Sequence, residues 1–373
     1  MNDMGRTGLA AFPMHGQYKL SNEGYRTRDG HLIEWFAKIL ERENAGSVSV
    51  FSRPEPRLLA PFRTYPAASV ARNTHPVDSL SWALPPLRDR QRWWVSSLNA
   101  YQRHAAPTPV VTWNPFLALS NVWPDVVSSG LPVAFDLLDD WTIHYAFAGV
   151  RSKVEEAYRE LFSHAHVVTA NAEGTVELAK RFGRHDVVFL PNGCDPERFD
   201  RSPLAVGPIT IGYVGKIGKR LDLELIVGTA RDLPHVRFVF AGPILDSEYR
   251  TPLENVPNIE LVGDVHYQDV PRLLQTFDVG WVPHRVGEGE VGGDVIKTYE
   301  YRAAGLPTLT TPVQGADRRG LSGVTILPRA EHADAIRRWT NENDRVPRNL
   351  STLPESVRWE SKAEEILARL NRK

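Results

Sequence analysis

Two doubly wound α/β domains are the fold class this sequence predicts, and three observations predict it. Short apolar runs alternate with helical patterns in two successive series, the signature of mostly parallel sheets. A polar, turn-rich stretch, CDPERFDRSPLAVG at 194–207, separates the series. The chain has 373 residues, 42% of them apolar and 24% charged, enough for two full hydrophobic cores without extensive disorder.

In the first series GLAAFPM reads as the opening strand, HLIEWFAKILERE as a helix and SVSVFSRP as the second strand. The arginine- and proline-rich region from Pro54 to Arg92 reads as loops covering a crevice or as a decorated surface. PVVTWNP (109–115) and LPVAFDLLDDW (131–141) are buried strands with polar exits. KVEEAYRELFSHA is a helix, AHVVTAN a strand, EGTVELAKRFG a helix, and DVVFLPNG the last strand of this half.

In the second series PITIGYVG, VRFVFAG, IELVGDV, DVGWVP and LPTLTTP read as strands. DLELIVGTARDL, VPRLLQTF and VIKTYEYRAAG are the helices between them, and the segments after TILPR (325–329) are helical in character. There are no tandem repeats. Such sheets bind ligands in crevices beyond the strand C-termini, and the main cleft is expected between the two domains.

Composition narrows the partners. A formal net charge of -1 gives no global field for nucleic acid, so none is expected. The single cysteine, Cys194, excludes an intrachain disulfide and fits a reducing compartment. The opening residues lack the basic-then-apolar pattern of a signal peptide, and no run approaches the roughly 20 apolar residues that span a bilayer. A soluble, cytoplasmic protein is expected.

Two glycine-rich exits carry the chemistry. IGYVGKIGKR sets Gly212, Gly215 and Gly218 after a strand, followed by Lys216, Lys219 and Arg220. The spacing is GxxGxxG rather than the dinucleotide GxGxxG. Flexible backbone followed by cations suits a diphosphate; the alternative is a surface turn with solvated bases. GGDVIKTYEYRAAGLPTLTTP (292–312) is a second such exit, leading into a helix with Lys297 and Glu300 three apart.

These segments, in this order, resemble the donor domain of a retaining GT-B glycosyltransferase of family four. FLPNGCDPERF resembles the segment joining its domains, IGYVGKIGKRLD its phosphate loop, and DVIKTYEYRAAGLPTLTTP its most diagnostic helix. The resemblance covers roughly residues 188–312 and is nearest to bacterial surface-polysaccharide enzymes, including teichuronic-acid-type transferases. It implies two Rossmann-like doubly wound domains facing a central cleft. The family uses two glutamates: Glu300 matches the second, which holds the nucleotide ribose, whereas Gly292 stands at the first. Glu288 or Glu290 would have to substitute, or Gly292, Gly293 and the following amides approach the donor directly. Lys297 matches a basic residue near the donor phosphate. Gly215, Lys216, Lys219 and Arg220 complete the expected donor set, with Lys216 stabilising the departing phosphate and no metal required. Asp294 is an alternative helix cap that would occupy some of the same N–H groups.

First-domain candidates are less explicit. FDLLDDWTIHY holds Asp136, Asp139, Asp140 and His144 at a strand exit. Asp139, then His144, then Asp140 are expected to engage an acceptor hydroxyl, with a glycosidase pair, a metal site, or capping and solvation as the alternatives. Arg26, Arg28 and His31 face either an anionic ligand or solvent. Asn114 follows a strand, Trp113 reads as core or crevice wall, and His164 and His166 read as structural, as does Cys194. The stretch 75–94 combines Trp82, Trp93 and Trp94 with Arg88, Arg90 and Arg92. It suits either peripheral contact with an anionic membrane face or a helix with a solvated arginine face, the second being favoured.

The expected organisation is an acceptor-side domain at 1–195, a donor domain at 196–350, and a helical segment at 351–373 packing back toward the first domain. The expected function is a retaining glycosyltransferase moving a sugar from a nucleotide diphosphate sugar to a glycan, glycolipid or small-molecule hydroxyl. Two other readings stand beside it: a nucleotide-sugar epimerase or hydrolase, and an inactive nucleotide-sugar-binding regulator.

Overall fold

The apolar runs at 9–12, 110–112, 133–137 and 167–170 are buried at every position, which is what the inner strands of a covered parallel sheet require. The structure, a computed structural model, describes residues 8–58, 71–86, 90–103, 107–287, 293–342 and 345–372. It divides into two compact units. The first holds the described residues from 8 to 191 with Gly293 and 359–372, and the second those of 192–287 and 294–358.

The first unit is built on seven parallel strands: β1 (Leu9–Phe12), β2 (Val48–Phe51), β3 (Thr74–Val77), β4 (Val110–Thr112), β5 (Val133–Leu137), β6 (Val167–Ala170) and β7 (Val188–Phe189). Their order is β3-β2-β1-β4-β5-β6-β7. The Pro54–Arg92 region contributes more than loops. It supplies the edge strand β3 and a two-stranded ribbon of Glu55–Pro56 with Leu80–Ser81. Pro76 lies within β3, and only an edge strand tolerates it there. Phe12, Phe116, Phe135, Tyr158 and Phe162 fill the core, each contributing about 1.5–3 kcal/mol on burial. The helix Trp359–Leu370 lies against the helix Arg28–Arg42: the Arg42 guanidinium bonds Glu360 at 2.6 Å and Glu364 at 2.9 Å. The Trp359 ring stacks on His31 at 4.9 Å.

The second unit has six parallel strands: β8 (Thr210–Val214), β9 (Arg237–Ala241), β10 (Ile259–Gly263), β11 (Val279–Val282), β12 (Thr308–Thr310) and β13 (Val324–Ile326). Their order is β10-β9-β8-β11-β12-β13. The edge strand β13 is only three half-buried residues, too short to stand out in the sequence pattern. Both units therefore reverse strand order beside their first strand, at β1/β4 and at β8/β11. Such a switch point opens a crevice at the strand C-termini.

The helix Ile296–Ala303 is fixed over the second switch point. A Cβ on Gly280 would stand 2.3 Å from the Tyr301 ring, so the glycine lets the helix lie directly on β11. The Tyr301 hydroxyl accepts from the Val214 amide at 2.8 Å, tying the helix to the end of β8.

Candidate functional site

At the β8/β11 switch point the second unit gathers Gly215, Lys216, His284, Lys297 and Glu300. Gly215 immediately follows β8 with φ +149°, a conformation few side chains adopt. A Cβ there would meet Lys297 Cε at 2.2 Å and Nζ at 2.7 Å. The glycine therefore makes room for the lysine. Lys297 Nζ sits 5.3 Å from the centre of the Tyr213 ring. The Tyr213 hydroxyl donates to the Lys216 carbonyl at 3.0 Å and so shapes the turn that carries Lys216. Among the described residues the half-buried Lys216 has no carboxylate partner.

Glu300 lies one helical turn beyond Lys297 and is 6% exposed. Its Oε1 has no hydrogen-bond partner among the described residues. Burial raises the carboxyl above its ordinary range, while the neighbouring Tyr267 hydroxyl, Lys297 and Arg198 act in the opposite direction. Leaving a buried acceptor unmade costs about 1–3 kcal/mol, and the donors able to meet this oxygen are the neighbouring Tyr267 hydroxyl, which acts on the carboxyl as a hydrogen-bond donor, or a ligand.

His284 is the residue that sequence reasoning missed. It stands two positions beyond β11, half-buried, its ring 6.3 Å from that of Tyr213. Burial, then Lys297, then Arg220 hold the imidazole well below its usual pKa, so it is neutral near pH 7. The only sequence signal was position: the exit of the strand that pairs with β8.

The remaining second-unit candidates separate. Lys219 is exposed, with its amide on Asp246 Oδ2 at 2.9 Å and its Nζ 3.9 Å from Glu248. Arg220 is exposed and accepts the Arg285 amide on its carbonyl at 2.8 Å. Asp294 does not cap the helix. The N-cap position is Val295, without a side-chain cap bond. The Asp294 carboxylate is taken by the Asn192 amide (2.9 Å), the Tyr299 hydroxyl (2.7 Å) and Arg319 (3.0 Å). The helix begins at Ile296, so the Asp294 carboxylate caps none of its amides, and the Thr298 amide turns back onto Val295 O at 3.3 Å. Gly292, Glu288 and Glu290 lie outside the described residues. Gly293 is described and belongs to the first unit, where the space beside it is filled: a Cβ there would stand 2.4 Å from Asp139 Oδ1. Cys194 is fully buried, its amide donating to Val357 O at 2.9 Å.

In the first unit the acidic cluster resolves into distinct parts. Asp136 is a core residue. Arg28 donates to both its oxygens at 2.7 and 2.9 Å, Trp113 Nε1 donates at 2.6 Å, and Thr169 completes the set. Arg28 thus faces neither ligand nor solvent. Asp140 accepts from the Thr142 amide at 2.9 Å and pairs with Arg181. Asp139 is half-buried, with its carbonyl accepting from the Tyr158 hydroxyl at 3.1 Å. His144 caps a short turn: its Nδ1 accepts from the Ala146 amide at 3.0 Å, which orients Nε2. Asn114 is a buried cap bonded to Phe116 N and Tyr101 Oη. His166 Nδ1 accepts from Val133 N at 3.1 Å, and His164 lies beside Glu160. Among the described residues no His, Cys, Asp or Glu side chains gather in a group that could hold a metal ion.

The stretch 75–94 is not one interfacial face. Trp93 is buried with its Nε1 on Pro54 O at 2.9 Å. Trp94 packs edge-on against Trp141 beneath the Arg53 guanidinium. Only Trp82 is open, 73% exposed with Arg57 over its ring. Arg88 lies outside the described residues. No helix among the described residues is long and apolar enough to cross a membrane.

Residues 208–342 match the family model described as Glycosyl transferases group 1. Over 175 residues the chain is 26% identical to TuaH of Bacillus subtilis (strain 168), whose name assigns it to teichuronic acid biosynthesis as a glycosyltransferase. That match spans 43% of this chain and 44% of the relative, less than half the length of each. Two solved structures share the architecture at low identity. HepE of Anabaena, in complex with UDP-glucose, superposes with TM-score 0.57 at 13% identity over 97% of each chain. Apo OtsA superposes with TM-score 0.64 at 13% identity over 98% of this chain and 100% of that one. By fold the chain is a GT-B protein, related through residues 208–342 to the glycosyl transferases group 1 family.

Proposed function

We propose that this chain is a retaining glycosyltransferase that works in the cytoplasm. It takes a nucleotide diphosphate sugar in the second unit and moves the sugar to a hydroxyl of a glycan, glycolipid or small molecule. The observation that carries the reading is the buried Glu300 carboxylate with an unpartnered oxygen, on the same helix as Lys297 and beside the glycine turn that presents Lys216. A ribose diol supplies the donor that Glu300 Oε1 lacks. The diphosphate then lies toward Lys216, Lys297 and the uncapped helix start at Ile296.

Sugar transfer leaves negative charge on the departing β-phosphate while positive charge develops at the anomeric carbon. Fixed cations and backbone N–H groups stabilise the first change without reorganising. Asp139 and His144 Nε2 are proposed to meet the acceptor, where a hydroxyl must give up its proton. With Glu300 assigned to the ribose, no carboxylate is placed at the reacting carbon, so a same-face route assisted by the donor phosphate is preferred to double displacement.

A donor screen by mass spectrometry, beginning with UDP-sugars and a pooled acceptor extract, tests the reading. Acceptor-dependent gain of one sugar mass, with an α-linked product from an α-linked donor by NMR, is the expected result. Donor consumption without glycoside formation would move the assignment to an epimerase or hydrolase, and binding without turnover to a regulator.

A further inference from the structure

We infer that His284 takes up a proton when a nucleoside diphosphate occupies the second unit, and so adds a third positive group beside Lys216 and Lys297. The inference rests on the proposed donor site and assigns a residue within it.

The position of His284 is fixed by backbone contacts. Its carbonyl accepts from Thr311 Oγ1 at 2.8 Å. The segments on either side are laddered to the turn after Lys219: Asp222 N donates to Pro283 O at 2.9 Å and Arg285 N to Arg220 O at 2.8 Å. The ring is therefore held where the phosphate turn, β11 and the helix start converge. It shares the Tyr213 ring with Lys297, at 6.3 Å and 5.3 Å respectively. Among the described residues neither ring nitrogen has a hydrogen-bond partner. The groups acting on it are Lys297 from the helix and Arg220 from the turn, both positive, with Arg285 next in the chain and Tyr213 uncharged.

Those charges set the sign of the coupling. In the free protein, burial and two cations keep the imidazole neutral. A diphosphate brought among the same cations offsets their charge and supplies acceptor oxygens that favour imidazolium. Binding then draws one proton from solvent onto the ring, and release of the nucleoside diphosphate returns it. No covalent bond is made or broken at His284.

Calorimetry with UDP, in two buffers of equal pH and different ionisation enthalpy, reads the proton count directly. At pH 8 the terminal phosphate of UDP is already ionised, so its own titration contributes little. The wild-type protein is expected to take up a measurable fraction of a proton per UDP, with affinity weakening as pH rises. His284→Asn should abolish that uptake and weaken affinity by about three- to tenfold. His284→Lys, which fixes the charge, should restore affinity without uptake. Equal proton counts in wild type and His284→Asn would overturn the inference while leaving the donor site standing. If UDP does not bind the folded wild type at all, both fall together.

Discussion

The two units each bury a carboxylate, and the two carboxylates are treated in opposite ways. Asp136 in the first unit receives Arg28 on both oxygens together with Trp113 and Thr169. Glu300 in the second is buried to a similar degree, yet one oxygen is left without a donor. Breaking a satisfied buried pair strands its partner's charge, whereas a buried carboxylate with an unmet oxygen has room for a further donor. Position at a strand exit, the feature the two aspartate and glutamate segments share in the sequence, does not separate these roles. Partner count does.

The largest effect should come from breaking the satisfied side. Arg28→Ala leaves Asp136 charged, buried and unpaired, and should cost about 3–5 kcal/mol in urea unfolding. A loss below about 1 kcal/mol would mean Asp136 is not the structural partner claimed here.

Next is the glycine that seats Lys297. Gly215→Ala forces a side chain into φ +149° and against the lysine stem. It should cost about 1–3 kcal/mol of stability and weaken UDP binding as Lys297 is displaced. A variant with wild-type stability and affinity would separate Gly215 from the donor site. The smallest contrast lies between two neighbouring lysines. Lys216→Ala should weaken UDP binding about tenfold, by loss of a charge-assisted contact. Lys219→Ala, whose exposed ammonium already faces Glu248, should change it less than about twofold. The reverse ranking in a titration would move the phosphate to the outer face of the turn.

Much of this was legible in the sequence because parallel strands covered on both faces read as continuous apolar runs. β8, β9 and β11 are of that kind. Helix spacing puts Lys297 and Glu300 on one face, but the roles expected of them came from the family resemblance of their segment. The Arg28–Asp136 pair was not, since its partners are separated by 108 positions and neither sits in a local motif. Arg28 therefore reads as facing either an anionic ligand or solvent until the fold joins it to β5. Asp294 read as a cap because it precedes a helix, but the start at Ile296 hands it to Asn192, Tyr299 and Arg319 instead. His284 carried no pattern at all. Trp93 and Trp94 fitted either an interfacial stretch or a helix with a solvated arginine face, because nothing local showed what packs on them.

The central claim is that Glu300 awaits a ribose, and Glu300→Gln tests it most directly. Burial raises the carboxyl of Glu300, so its contribution to stability is present at low pH and is lost as pH rises through the folded value. The amide has no such loss, and the variant should therefore melt at or above the wild-type temperature at pH 7. Calorimetry with UDP on the folded variant should nevertheless show binding weakened by about 1.5–3 kcal/mol, the scale of hydrogen bonds to a charged group. Unchanged UDP affinity in a well-folded Glu300→Gln protein would contradict the account.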